Sequence, residues 1–444
     1  MTSPETVSLG DVVKPTRPRV KPSEFPTLPF VGLEHVEART TRLLGSVPSS
    51  TVKSSSVHFQ PGDVLYSRLR PYLNKVIRAA FEGLASAEFI VFPENDRIDG
   101  SYLKYILNSW DFVKFANSLN AGDRPRVDYD QISSYLIFLP PLDEQQQIVA
   151  EIEMQFARLD DAVAALHRAR VRLKHYRASV LKAACEGRLV PTEAELARQE
   201  DRDYEPASVL LARIKAERAA TPAKGRGKAN TAPALDTSGL PELPEGWAWT
   251  RIGECFDVYV GATPSRKQLE YWNGVIPWVS SGEVAFCNIR STRETITELG
   301  LQRASTALHP PGTVLVGMIG EGKTRGQVAM LDISACNNQN SAAIRVSETS
   351  IDPWYVYRYL EGRYEETRAG SSGNNQPALN KSRVQAVPFP LPPAQEAERI
   401  SVELSRLLSI VDQMETIVQT NLKRAESLRQ SILLLAFSGK LFTS

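Results

Sequence analysis

The sequence predicts an α+β chain in which two mixed α/β globular domains each lead into one long helix. Three observations carry that expectation: an internal repeat, β-like runs of period two in each copy, and a switch to a helical period of about 3.5 after each Leu-Pro-Pro. The chain has 444 residues, 42% hydrophobic and 23% charged. That is enough for roughly three domains at ~150 residues each.

The repeat is read directly. Leu139-Pro140-Pro141, Glu144 and Ile148 recur as Leu391-Pro392-Pro393, Glu396 and Ile400, an offset of 252 residues. The same offset continues without a gap through Arg177/Arg429, Ser179/Ser431, Leu181/Leu433, Ala184/Ala436 and Leu189/Leu441. Upstream the match is looser. Pro61-Gly62 before Val64-Leu65 sits opposite Pro311-Gly312 before Val314-Leu315, as loop insertions allow.

Residues 1–140 and 247–391 form the two globular domains, with strand-like runs such as FIVF (89–92), YLIFL (135–139) and TVLVGMI (313–319). Residues 141–190 and 392–444 are the two helical segments. Their seams are Ile148, Ile152, Gln155, Leu159, Ala162, Leu166, Ala169, Leu173, Tyr176, Val180, Ala183 and Ile400, Leu404, Leu407, Val411, Met414, Val418, Asn421, Ala425, Leu428, Ile432, Leu435. Both follow coiled-coil spacing, and small residues in one face large residues in the other, so the seams are expected to pack together, with two amphipathic helices each packed on its own domain as the alternative. Residues 191–246 are expected to hold a short helix near Tyr204–Ala220, with Leu210, Leu211 and Ile214 inward, followed by a Pro/Gly/Ala-rich flexible linker.

Composition excludes several classes. With 52 Lys+Arg against 51 Asp+Glu, the chain is neither a basic coat protein nor an acidic tail, although a local basic patch is still allowed. The longest apolar candidate, Ile432 to Phe437, is far short of a membrane span. MTSPETVSLG lacks the features of a signal peptide, and Cys185, Cys255, Cys287 and Cys336 form no CxxC pair. A soluble, cytoplasmic protein without a metal site is expected.

Two kinds of motif compete for function. Gly317 to Thr324 fits the phosphate-loop pattern GxxxxGK[ST], but such a loop must open a helix. Arg325-Gly326-Gln327-Val328 reads instead as a turn into another strand. That leaves a strand–loop–strand offering Lys323 and Arg325 to a phosphate backbone, with nucleotide binding as the alternative. No HExxH, GxSxG or amino-methyltransferase motif is present. In copy one, Arg68, Arg70, Lys75 and Arg78 surround Tyr72 without an acid, at the place that Gly317 to Val328 occupies in copy two. Arg124 and Arg126 likewise sit opposite Asn374, Asn375 and Gln376. Arginine suits guanine, while Asn and Gln suit adenine, so equivalent loops could read different bases. The first long helix also carries Arg168, Arg170, Arg172, Lys174, Arg177 and Lys182. Such a run is ordinarily a solvated face but would also attract DNA.

Together these features resemble a specificity subunit of a type I restriction–modification enzyme. The resemblance rests on the duplicated plan and on FLPPLDEQQQIV and PLPPAQEAERI opening the long helices, with EGRLV and SGKLF closing them. LPEGWAWTRIGE, GATPSRKQLEYWNGVIPWVSSGEV and GMIGEGKTRGQVAML in copy two add to it. The resemblance implies a non-catalytic subunit with two target-recognition domains, each reading half of a bipartite double-stranded DNA site. The helices would form an antiparallel coiled coil that spaces the domains and docks two methyltransferase subunits, with up to two restriction–translocase subunits in a full complex. S-adenosylmethionine, ATP and Mg would sit on those partners, and none on this chain. A coiled-coil scaffold that binds only proteins is the other alternative. The DNA-facing set is then Arg68, Arg70, Tyr72, Lys75, Arg124 and Arg126 in copy one. In copy two it is Thr263, Ser265, Arg266, Lys267, Ser280, Ser281, Lys323, Arg325, Asn337, Asn338, Asn374, Asn375 and Gln376.

Overall fold

The computed structural model describes residues 5–15, 18–120, 122–220, 235–320, 323–369 and 379–438. The chain divides into two compact units: residues 1–170 with 417–444, and residues 171–416. Each unit therefore combines one globular domain with the near half of its own long helix and the far half of the other copy's helix.

In the first unit, the opening strand Glu5–Ser8 pairs antiparallel with the closing strand Leu136–Leu139, Glu5 opposite Leu139. In the second, Ala248–Arg251 pairs antiparallel with Pro388–Leu391, Ala248 opposite Leu391. Both closing strands run straight into Pro-Pro. A proline pushes the preceding residue out of helical geometry, so no helix can open before the second proline. The second proline's carbonyl then accepts the first helical bond, from Gln145 N to Pro141 at 2.9 Å and from Ala397 N to Pro393 at 3.0 Å. The helices that follow are Leu142–Cys185 and Ala394–Phe437, 44 residues each.

The looser upstream repeat is a repeat of structure as well. Gly62 (φ +95°) and Gly312 (φ +80°) turn the chain in left-handed geometry just before strands Val64–Ser67 and Thr313–Gly317. Each of those strands lies between two antiparallel neighbours, Val76–Arg78 and Phe89–Phe92 in the first unit, Val328–Leu331 and Ser341–Arg345 in the second. The first unit adds a five-stranded sheet containing Arg19–Val20, Pro29–Val31 and Ser56–Phe59. The second extends its central sheet to five strands and adds a three-stranded sheet around Trp272–Val279.

The long helices pack antiparallel within each unit. In the first, Ile148, Ile152 and Phe156 share a core with Ile432, Leu433 and Ala436, and Asp160 pairs with Arg429. In the second, Val180, Leu181 and Ala184 share a core with Ile400, Leu404 and Leu408, and Arg177 pairs with Asp412. The seam is narrower than the heptad reading. Leu404, Val411, Val418, Ala425 and Ile432, one residue in seven, are buried, whereas Met414, Leu428 and Leu435 are 48%, 52% and 46% exposed. Tyr176 and Ala162 of the first helix are exposed too. Where a helix meets a globular domain, burial instead widens to Phe156, Leu181, Ala184, Leu408, Leu433 and Ala436, because the helix then packs on two surfaces.

The bridge holds the expected helix and one more before it. Helix Glu193–Glu200 starts at a Thr192/Glu195 capping box, and helix Ala207–Ala220 buries Leu210 and Ile214, with Leu211 half-buried. Glu193, buried, is held by Arg202 and Arg399 at 2.6 Å each, and the buried Glu396 carboxylate accepts from Glu193 N (2.8 Å) and Trp247 Nε1 (2.9 Å). These bonds tie the first bridge helix and the opening of the second domain to the start of the second long helix. Residues 221–234 lie outside the described residues.

Candidate nucleic-acid interface

The suspected phosphate loop is a β-hairpin. Strands Thr313–Gly317 and Val328–Leu331 run antiparallel, closed by Gly326 N to Gly317 O and Gly317 N to Gln327 O, 2.8 Å each. No helix opens after Thr324, so the described residues lack the helix N-terminus that would receive phosphates. The first unit has the same hairpin, from Val64–Ser67 to Val76–Arg78. Its loop carries Arg68, Arg70, Tyr72 and Lys75, and the loop of the second unit carries Lys323 and Arg325.

In the first unit this loop is knitted to residues 124–128. Arg70 N donates to Pro125 O (2.8 Å), Val127 N donates to Arg68 O (3.0 Å), and Leu69 bridges Arg126. Arg68, Arg70, Arg124 and Arg126 are thus brought into one neighbourhood. Arg70 and Asn74 adopt left-handed geometry (φ +52° and +41°) to make the tight loop. The side chains are not all free for a ligand. Arg68 pairs with Asp128, Arg126 pairs with Glu88, and Lys75 Nζ donates to Leu33 O at 2.6 Å. Lys75 is therefore a brace between loops. Tyr72 and Arg124 are exposed.

In the second unit four segments converge. Ala262 N donates to Asn337 O (3.0 Å), Asn338 N to Val279 O (3.0 Å) and Met318 N to Asn340 O (2.8 Å), while the Thr263 hydroxyl bonds Gln339. Glu283 accepts from Ser280 N (2.9 Å), Ser280 Oγ (2.8 Å) and Arg293 N (2.9 Å), fixing the 280–283 turn beside Glu294. The segments that carry Thr263, Ser280 and the start of the hairpin loop at Met318 are thus each tied to residues 337–340. Lys267 and Lys323 are exposed, and Tyr364 Oη donates to Lys323 O at 2.8 Å.

Two assignments need correction. Asn337 and Asn338 are buried. Asn337 Nδ2 donates to Ser341 O (2.8 Å) and its Oδ1 meets His309 Nε2 (3.1 Å); Asn338 Oδ1 accepts from Asn340 N (3.2 Å). Burial also pushes His309 down to about 3, so it stays neutral. The Asn337 amide and the Asn338 side-chain oxygen are engaged inside the turn that supports the outer loops. Asn374, Asn375 and Gln376 lie outside the described residues.

Sequence reading missed Trp272, Gln339, Glu294, Glu88 and Asp128. Trp272 and Trp278 meet edge to face at 5.2 Å, but a bulge between Trp272 and Ile276, with Asn273 at φ +60°, breaks the strand's alternation, so their spacing of six carried no sure signal. The acids carried none: Glu294 is 28 residues from Arg266. Among the described residues no cluster of His, Cys, Asp or Glu is arranged to hold a metal ion, and no helix is long and apolar enough to cross a membrane.

Comparison with known proteins agrees with this duplicated plan. The chain is 32% identical over 212 residues to the type I restriction enzyme EcoDI specificity subunit of Escherichia coli, covering 46% of each chain. It is 26% identical over 177 residues to the MjaIX specificity subunit of Methanocaldococcus jannaschii, covering 39% of this chain and 40% of the relative. The matched stretches thus span less than half the length of these relatives. In fold it is similar to the HsdS subunit from Thermoanaerobacter tengcongensis (TM-score 0.60, 20% identity, 99% of this chain and 97% of the other). It is also similar to a chain from a structure addressing complex assembly and conformational transition of the type I R-M system (TM-score 0.74, 20% identity, 99% and 98%). The family model described as type I restriction modification DNA specificity domain matches residues 5–161 and again 244–423. Matched once in each copy of the repeat, and over more than half of its residues, the chain belongs to that family.

Proposed function

We propose that this chain is the DNA-specificity subunit of a type I restriction–modification complex, with each unit reading one half of a bipartite double-stranded site. The observation that carries this reading is the specificity-domain match in both copies, on domains that present equivalent hairpin loops with different polar chemistry. The subunit is non-catalytic and acts in the cytoplasm. Methyl transfer, ATP hydrolysis and cleavage belong to methyltransferase and restriction–translocase partners, which hold S-adenosylmethionine, ATP and Mg. Exposed apolar residues on the second long helix, Ile410, Met414, Ile417, Leu428 and Leu435, support docking of a methyltransferase subunit there.

Sequencing of methylated positions in DNA from host cells with and without this gene tests the reading. The expected result is one bipartite methylated motif that disappears with the gene, and a purified chain that transfers no methyl group from S-adenosylmethionine. Methyl transfer by the chain alone, or methylation unchanged by its loss, would overturn it.

A further inference from the structure

We infer that Arg266 reads a guanine, with Trp272 and Glu294 as the positioning residues that hold its fork; this rests on the DNA-recognition reading and assigns a base-specific role within it. The loop that bears Arg266 is fixed from both sides. Gly261 packs so tightly that a Cβ there would lie 1.9 Å from Asn337 O. Trp278 Nε1 donates to Ala262 O (3.0 Å), and Trp272 Nε1 donates to Ser265 O (3.2 Å), the residue before Arg266. Two indoles and a backbone contact thus set where the arginine emerges.

Its head group is fixed as well. The guanidinium lies 3.8 Å over the Trp272 ring and 5.3 Å from Trp278. Glu294 takes both terminal nitrogens, Nη1 at short range and Nη2 at 2.9 Å. That pairing holds the Glu294 carboxyl below the usual carboxylate range. The side chain is still 55% exposed. A guanidinium has five N–H donors, so an end-on carboxylate leaves the edge formed by Nε–H and one Nη–H for a second bidentate acceptor.

Charge decides between base and phosphate. Beside Glu294 the arginine is half of a neutral pair, which draws a phosphate weakly and sets a carboxylate near any phosphate that approaches. Guanine O6 and N7 form a neutral acceptor pair that requires orientation more than net charge, and orientation is what the stacked and paired arginine supplies. The neighbouring Lys267, an exposed point charge, suits the phosphate instead.

The test uses host cells carrying the full chain with its native partner genes, and reads methylated motifs for wild type, Arg266→Gln, Arg266→Lys and Glu294→Gln. The expected result is loss of discrimination at one G·C pair in one half of the motif, by about tenfold or more for Arg266→Gln and Arg266→Lys. Glu294→Gln should relax the same position by less, and the other half-site should stay unchanged. Arg266→Lys keeps the cation over Trp272, so it separates a reading role from a folding role. A motif unchanged in sequence but methylated less at every site would assign Arg266 to a phosphate and overturn the inference, as would no change at all. Wild-type methylation that does not depend on the chain would instead overturn the DNA-recognition reading beneath it.

Discussion

The two units share a frame and differ in what they hang on it. In the first, Asp99 caps helix Gly100–Asn108, and Tyr102 Oη donates to Phe138 O at 2.9 Å. In the second, Asp352 caps helix Pro353–Gly362, and Tyr355 Oη donates to Pro390 O at 2.8 Å. A buried tyrosine hydroxyl needs a partner, and both copies find it on the closing strand. The loops diverge completely. The first unit pairs Arg68 with Asp128 and Arg126 with Glu88 across a tight left-handed hairpin loop. The second stacks Arg266 on tryptophan and supports its loop from beneath with Asn337 and Asn338. A duplicated frame with unlike loops lets one chain present two different recognition chemistries without building two folds.

The frame should therefore fail alike in both units, and this is the largest effect expected. Ile152→Ala and Leu404→Ala remove equivalent fully buried residues, and each should cost about 2–5 kcal/mol in denaturant unfolding. Met414 and Leu428 occupy positions of the same heptad seam but are half exposed, and changing each to Ala should cost less than about 1 kcal/mol. Equal losses at all four positions would mean that the seam is closed along its length, as the heptad pattern alone suggests.

Those four residues also show where sequence reading stops. Local signals were legible: Leu-Pro-Pro as the start of a helix, Pro-Gly before a strand, and Gly326 as a turn rather than the opening of a phosphate-binding helix. Heptad spacing marks every residue that can face a partner, but two helices in contact do not bury both rows equally, and Met414 and Leu428 carry no mark that separates them from Val411 and Ala425. The corrected site residues failed for a related reason. Asn337 and Asn338 look like DNA contacts because they sit in a polar loop, yet that loop folds on itself through Ser341 and Asn340 and is buried against His309, 28 residues away. The carboxylates that hold the arginines lie 28 to 60 residues away, beyond any local pattern.

The loops, unlike the frame, should break separately. Gly261→Ala drives a methyl group into Asn337 O, and the backbone there is pinned by the Ala262–Asn337 bond, so the loop must shift. A cost of about 1–3 kcal/mol is expected, with loss of recognition by the second unit alone. Gly122, in the loop of the first unit, meets nothing within 4 Å, but its φ of +124° is hostile to any side chain. Gly122→Ala should therefore cost through backbone strain, of order 1 kcal/mol, and should alter only the other half of the motif. A variant in one loop that changed both halves would deny the units their independence.

The smallest effect compares the two inter-helix ion pairs. Asp160–Arg429 in the first unit and Arg177–Asp412 in the second are the same interaction under the 252-residue repeat, because Asp160 corresponds to Asp412 and Arg177 to Arg429. Both aspartates are largely exposed while both arginines are mostly covered, with Arg429 also lying 4.6 Å over the Phe156 ring. Exposed pairs of this kind contribute about 0.2–1 kcal/mol. A double-mutant cycle with Arg177→Ala and Asp412→Ala should return a coupling in that range, and the cycle with Asp160→Ala and Arg429→Ala should match it within about 0.5 kcal/mol. The truncations will not match so well one by one, because Arg429→Ala also removes the contact with Phe156, which the other pair lacks: position 408, its counterpart, is Leu408. Single-mutant costs that differ while the couplings agree would show that the repeat preserves the charge pairing and lets the packing around it drift. Couplings that differ by more than the pairs themselves are worth would mean that only one of them sets the register of the helices.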